Sequence, residues 1–385
     1  MRIRRGFVLA AAVLTSALVV VGCARDTGAP AGSGGAGATA GSGNSCATGA
    51  APDAAGAAAP TAAAGAKPDA SKMKVGIAFD IGGRGDQSFN DSAAAGIDKA
   101  KKDYGLTDVK ELTASANEPD DAAATRLRQL ADGGYNPIIT VGFKYATALG
   151  VVAKEKPDVK FAIVDDSSVS LPNVTPLVFA EEQGSFLVGA AAALKTKACH
   201  IGFVGGVDVP LIQKFEAGYI QGAKAVAPNI KIETKYISPA GDFTGFQDPA
   251  KGNVVATGEL DAGADVVYHA AGASGSGVFS AVKAKTTADS PRYAIGVDSD
   301  QYLTADAAVK DVIITSMMKR VDVAVYDYVT ALASNNLTTL PKTFDLKVDG
   351  VGYATSGGKI DDIKAKLDGY KAEIVSGKIT VKSTR

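Results

Sequence analysis

From residue 75 onward the chain alternates between short β-branched apolar runs and longer stretches of helical period. The runs fall at 75–79, 138–141, 161–164, 201–204, 230–236, 266–269, 294–297 and 312–316. Several are apolar throughout, the pattern of parallel strands covered on both faces. Helical stretches lie between or after them, at 88–104, 120–131, 145–154, 184–195, 211–226, 249–261, 276–285, 321–332 and 359–375. In the first of these, Ala94, Ile97, Ala100 and Tyr104 share a face and Gly105 follows as a stop. Repeated strand–helix alternation predicts a doubly wound α/β architecture. About eight strands overfill one such sheet, so two Rossmann-like lobes are expected.

Ligands of such sheets bind beyond the carboxyl ends of the strands. There the sequence places Asp80 with a glycine turn ending at Asp86, then Gly142-Phe143-Lys144, Asp165-Asp166, Gly205–Asp208, Ala270–Gly277, Asp298–Gln301 and Met317–Arg320. Carboxylates, amides and small residues suit a cleft that reads hydroxyl groups. They do not suit a phosphate cradle. The first turn, Gly82-Gly83-Arg84-Gly85, lacks the G-x-G-x-x-G spacing, residues 272–277 carry it reversed, and Asp80 and Asp86 would repel a phosphate. No Walker A motif and no G-x-S-x-G elbow is present, and neither His200 nor His269 sits beside a plausible nucleophile. No enzyme activity, cofactor or metal site is expected. With 40 Lys and Arg against 41 Asp and Glu, the chain has no electrostatic footprint for nucleic acid.

The N-terminus carries Arg2, Arg4 and Arg5, then an uncharged run from Gly6 to Val21, then Gly22-Cys23. The run is short for a membrane span and suits a signal peptide. Val20-Val21-Gly22-Cys23 resembles the bacterial lipobox, which implies a signal peptide over 1–22 and lipid on Cys23. Residues 23–72 are almost wholly Ala, Gly, Ser, Thr, Pro and Asp and are expected to form a tether. Cys46 lies in that tether without an evident partner. A disulfide to Cys199 is open on sequence but not expected.

Specific segments then carry a resemblance: "DQSFND" (86–91), "IITVGF" (138–143), "FAIVD" (161–165), "NVTPLVFAEEQGSFLVGAAAAL" (173–194), "GADVVYHAAGASGSGVF" (263–279), "IGVDSDQY" (295–302) and "TSMMKRVDVAVYD" (315–327). They are similar, in order, to the basic membrane protein family of lipoproteins, whose best-defined members resemble purine nucleoside receptors of ABC transporters. The resemblance implies a type I periplasmic-binding-protein fold with three hinge crossovers, near Ala180, Lys319 and residue 345. The N-terminal lobe would take 73–180 plus 320–345, and the C-terminal lobe 181–319 plus 346–385. It further implies a nucleoside base held between Phe89 and Phe215 and read by Asp165. The ribose would go to Asp298 and Lys319 beside Gly272, with Asp80 and Asn90 completing the wall. The implied protein is a monomeric, lipid-anchored receptor on the extracytoplasmic face of the membrane, delivering a nucleoside to an ABC permease. A sugar or autoinducer receptor and a surface signalling or adhesin lipoprotein are the competing readings. The absence of Trp, a frequent sugar-stacking ring, favours a base between phenylalanines.

Two departures stand out. Ala273 replaces a glycine in the 271–277 loop. The segment "YISPAGDFTGFQDPAKG" (236–252) is longer than usual; it is expected to be a surface loop, the alternative being that Phe243 and Phe246 lie at the cleft mouth.

Overall fold

The computed structural model describes Cys46, Pro52 and residues 68–385 apart from 116, 117 and 120. The expected signal peptide (1–22) and lipidated Cys23 lie outside the described residues, as does most of the tether.

The first sheet contains β1 (Lys74–Phe79), β2 (Asp108–Thr113), β3 (Ile138–Thr140), β4 (Phe161–Val164) and β5 (Val174–Leu177), in the order β2-β1-β3-β4-β5. All its pairings are parallel. Helices α1 (Phe89–Tyr104), α2 (Ala122–Asp132) and α3 (Ala146–Glu155) connect its strands. The second sheet contains β6 (His200–Val207), β7 (Lys231–Ser238), β8 (Val266–Ala270), β9 (Tyr293–Asp298), β10 (Ile313–Lys319) and β11 (Val351–Tyr353). Its order is β11-β10-β9-β8-β6-β7, parallel except for β11. Helices α4 (Glu181–Lys195), α5 (Pro210–Val226), α6 (Pro249–Asp261), α7 (Gly275–Lys285), α8 (Gln301–Thr304), α9 (Val321–Ala333) and α10 (Lys364–Val375) complete the molecule among the described residues. Without β11, the second sheet repeats the connectivity of the first, so each lobe has a switch point beside its first strand.

The apolar runs became the interior strands: β3, β4, β6 and β8 are buried at every position. Three strands lie outside the expected set, β2, β5 and β11. Each is an edge. Only one side is paired, so the apolar requirement relaxes, and β2 is half-exposed while β5 tolerates Pro176. Helix α1 buries Ala94, Ile97, Ala100 and Tyr104, and it stops at Gly105, whose left-handed N–H donates to the Lys101 carbonyl at 3.1 Å.

The chain passes between the lobes three times. After β5 it enters α4, which packs on α5 so closely that a Cβ on Gly222 would lie 1.9 Å from the Phe186 carbonyl oxygen. After β10 it enters α9, which packs on α1: a Cβ on Gly96 would lie 2.4 Å from the Asp322 carbonyl, and Tyr104 stacks on Tyr326. It returns beside the first crossing, where Ala180 N–H donates to the Phe344 carbonyl at 3.2 Å and Phe344 N–H to that of Val178 at 2.9 Å.

One expectation is corrected here. Cys46 is joined by a disulfide to Cys199, with Cα atoms 5.6 Å apart. The two are separated by 153 positions, and the residues around Cys46 carry no apolar period, so nothing local signals the pairing.

Candidate ligand-binding cleft

The turn after β1 is built by backbone geometry. Gly82, Gly83, Gly85 and Gln87 all have positive φ, at 99°, 56°, 100° and 55°. Glycine supplies three of these without strain. Asp86 then accepts from the N–H groups of Ser88, Asn90 and Asp91 at 3.0, 2.8 and 3.1 Å, capping α1. Asn90 accepts from Asp80 N–H at 3.0 Å and donates to the Ile81 carbonyl and the Asp86 carboxylate. Its amide protons are both spent on the turn, so Asn90 positions Asp80 and Phe89. The glycines therefore fold the turn back on itself, and Asp86 and Asp91 tie it to the helix, Asp91 accepting from the Gly85 and Gln87 N–H groups at 2.7 and 2.9 Å.

Two other strands end in an aspartate of left-handed backbone, Asp165 (φ 70°) after β4 and Asp298 (φ 62°) closing β9. Aspartate tolerates this conformation better than most residues, and such positions cluster at functional sites. Lys319 closes β10 and is 1% exposed. Its ammonium donates to Asp165 Oδ2 at 2.6 Å and lies 3.4 Å from Glu181 Oε1. It also sits 5.1, 5.2 and 5.6 Å from the ring centroids of Phe89, Phe179 and Phe215. A buried ammonium is thus held by two carboxylates and three aromatic rings.

All eight residues singled out from the sequence, Asp80, Phe89, Asn90, Asp165, Phe215, Gly272, Asp298 and Lys319, line one cavity between the lobes. Its atom-free space, counted out to open solvent, is about 650 Å³. Phe143, Leu211, Ile212, Phe246 and Ala273 line it as well. His200 faces Glu233 at 3.1 Å and His269 packs edge-on against Phe279, and neither lines the cavity.

The insertion corrects the surface-loop expectation. A 3₁₀ turn at Phe243–Phe246 folds inward, because Ser274 stitches it down: its hydroxyl donates to the Gly245 carbonyl at 2.8 Å and accepts from Asp248 N–H at 2.7 Å. Phe246 then packs on Gly206, where a Cβ would lie 2.4 Å from its ring, and lines the cavity. Phe243 reaches the opposite lobe, with its ring centroid 5.9 Å from that of Phe143 and 4.6 Å from the Lys144 ammonium. Glu181 and Phe179 lie outside the residues singled out from the sequence, while Phe246 fits the cleft-mouth alternative for its segment. Glu181 reads as an ordinary first-turn acid of α4, and only the return of β10 against it shows its partner.

Electrostatically the cleft is acidic. Burial pushes Asp80 up to about 6 and Asp165 up to about 7, the latter against the pull of Lys319. Burial also raises Asp298. For Lys319, burial works against the charge, yet Asp165, Glu181 and Asp298 together lift it to about 12. One fixed cation faces several carboxylates. Asp165 Oδ1 is buried without a hydrogen-bond partner, an acceptor that a ligand N–H can satisfy. Such a cavity can take a flat, uncharged ring with donor groups at its edges. Among the described residues no group of three or more His, Cys, Asp or Glu is arranged to hold a metal.

Residues 73–385 match the family model for PnrA-like ABC transporter substrate-binding proteins, Bmp. The chain is 38% identical to the CD4+ T-cell-stimulating antigen of Listeria monocytogenes, over 80% of this chain and 87% of that protein. It is 35% identical to the ABC transporter nucleoside-binding protein BmpA of Lactococcus lactis, over 81% of this chain and 89% of that protein. The solved ABC transporter solute-binding protein of Aeropyrum pernix superposes with a TM-score of 0.67 at 26% identity, covering 81% of this chain and 94% of its own. The fold, with two parallel-sheet lobes, is that of periplasmic binding proteins. The chain belongs to the Bmp family of ABC transporter substrate-binding proteins.

Proposed function

We propose that the protein captures a nucleoside, most readily a purine nucleoside, in the interlobe cleft and hands it to an ABC permease. The observation that carries this reading is the approach of Phe89 and Phe215, from opposite lobes, to the same buried Lys319 beside the unpartnered Asp165 Oδ1. A base between the two rings gains about 1–3 kcal/mol per ring from stacking. Asp165 accepts from the base nitrogens, while Asp298 and Lys319 take the ribose diol beside Gly272 and Ala273. Asp80 and Asn90 form the far wall. The surplus of carboxylates disfavours a phosphate, so the free nucleoside binds and the nucleotide does not.

In this reading the lobes are 73–180 with 320–345, and 181–319 with 346–385. The receptor acts as a monomer, without a catalytic step, held by lipid on Cys23 to the extracytoplasmic face of the membrane. The relative from Lactococcus lactis bearing the name nucleoside-binding protein supports the ligand class. Isothermal titration with adenosine, guanosine, inosine, cytidine and free ribose tests it. Saturable heat from nucleosides and none from ribose is expected. Heat from ribose alone would favour a sugar receptor, and silence from every ligand at high protein concentration a signalling or adhesin role.

A further inference from the structure

We propose that the Cys46–Cys199 disulfide makes the second lobe, built on β6–β11, the membrane-held lobe of the receptor. This rests on the reading of Cys23 as the lipidated residue. The cysteine count agrees: the chain has three, and lipid on the Cys23 thiol leaves only the two that are paired.

Without the disulfide, the tether would pull on the first lobe. Ala70 is buried with Tyr104 and Leu106 in the core, Met73 N–H donates to the Ala70 carbonyl at 2.9 Å, and β1 begins at Lys74. The chain therefore enters at the foot of the first sheet. Cys199 lies at the foot of the other sheet, immediately before β6, whose carboxyl end leads to the cleft. The eight residues of β6 put Cys199 about 25 Å from the cleft rim. Both sheets point their carboxyl ends at the shared cleft, so their feet lie at opposite poles of the folded part.

With the disulfide formed, the covalent path from Cys23 reaches the fold at Cys199, 23 residues on, before it reaches Ala70. Residues 46–70 become a strap between the two lobes. Those 24 steps span at most about 80 Å. A folded body of this size is roughly 50 Å across. The strap is therefore too long to restrain hinge opening. What the disulfide sets is the point of attachment: the second lobe is held by its foot and the first lobe swings.

The test uses the full-length lipoprotein in membranes, with a site-specific protease sequence inserted between Ala57 and Ala58. Cutting should leave the receptor in the membrane pellet until dithiothreitol is added, which should then release at least tenfold more into the supernatant. Cys199→Ser should be released by cutting alone. Release of the unreduced wild-type protein on cutting would overturn the proposal. So would retention after both cutting and reduction. Uncut protein that never sediments with membranes would instead show that the lipid-anchor reading fails, and the proposal with it.

Discussion

Ser88, at the start of α1 in the first lobe, donates its hydroxyl to Asp298 Oδ2, at the end of β9 in the second, at 2.7 Å. Two further bonds run beside it: Ser299 Oγ to the Ser88 carbonyl at 2.9 Å and Gln301 Nε2 to the Gln87 carbonyl at 3.1 Å. These contacts latch the lobes over the cavity. A hydrogen bond to a carboxylate contributes about 1.5–3 kcal/mol. Ser88→Ala is therefore expected to weaken ligand binding about tenfold or more, chiefly through faster dissociation measured by stopped flow. An unchanged dissociation rate would remove the latch from the account.

Lys319 is expected to be structural as well as ligand-facing. Lys319→Met would leave Asp165 and Glu181 buried without their cation, a loss of about 3–5 kcal/mol at pH 7.5 by urea denaturation. Burial holds the Asp165 carboxyl well above its usual range, so the penalty is present when it is ionised and fades as it protonates. The deficit should be smaller at pH 5 than at pH 7.5. A deficit that grows on acidification would contradict this electrostatic origin.

Asp80 offers a cleaner pH experiment. Its carboxyl is pushed from an ordinary value near 3.8 up to about 6, first by burial. The folded state then binds the proton more tightly than the unfolded one, so stability is lost as pH rises through that window. Asp80→Asn removes the titration. The ligand-free variant is expected to be more stable than wild type by about 1–3 kcal/mol above pH 7, with the gain vanishing below pH 4. The same change should weaken nucleoside binding. Equal melting curves at pH 8 would refute the burial cost.

Phe243 bridges the lobes through the cavity-lining Phe143. Its edge contact with Phe143 and its position under the Lys144 ammonium are each worth about 0.5–1.5 kcal/mol. Phe243→Ala should raise the ligand Kd several-fold to tenfold while leaving thermal stability of the ligand-free protein nearly unchanged. Equal loss of both would mean that the 3₁₀ turn itself had collapsed.

The interior of the fold was legible because β3, β4, β6 and β8 must be apolar on both faces, a demand written directly into the residues. The edges β2, β5 and β11 escape that demand and were missed. In the cleft, the strand-end aspartates could be read from position, whereas Phe89 and Phe215 were reached only through the family resemblance. Which of the cleft residues is spoken for internally could not be read. Asn90 gives its amide protons to its own turn, and Asp86 caps α1. Glu181, Phe246 and Cys46 join their partners only through long-range packing: the return of β10, the stitch made by Ser274, and a disulfide across 153 positions.

The central claim is that a nucleoside base lies between Phe89 and Phe215. It is tested most directly by the Kd of the best-bound nucleoside for wild type, Phe89→Ala and Phe215→Ala, measured by isothermal titration. Loss of about 1–3 kcal/mol of stacking at each ring is expected to raise Kd by roughly 5- to 150-fold in each variant. A Kd unchanged in both variants would contradict the account.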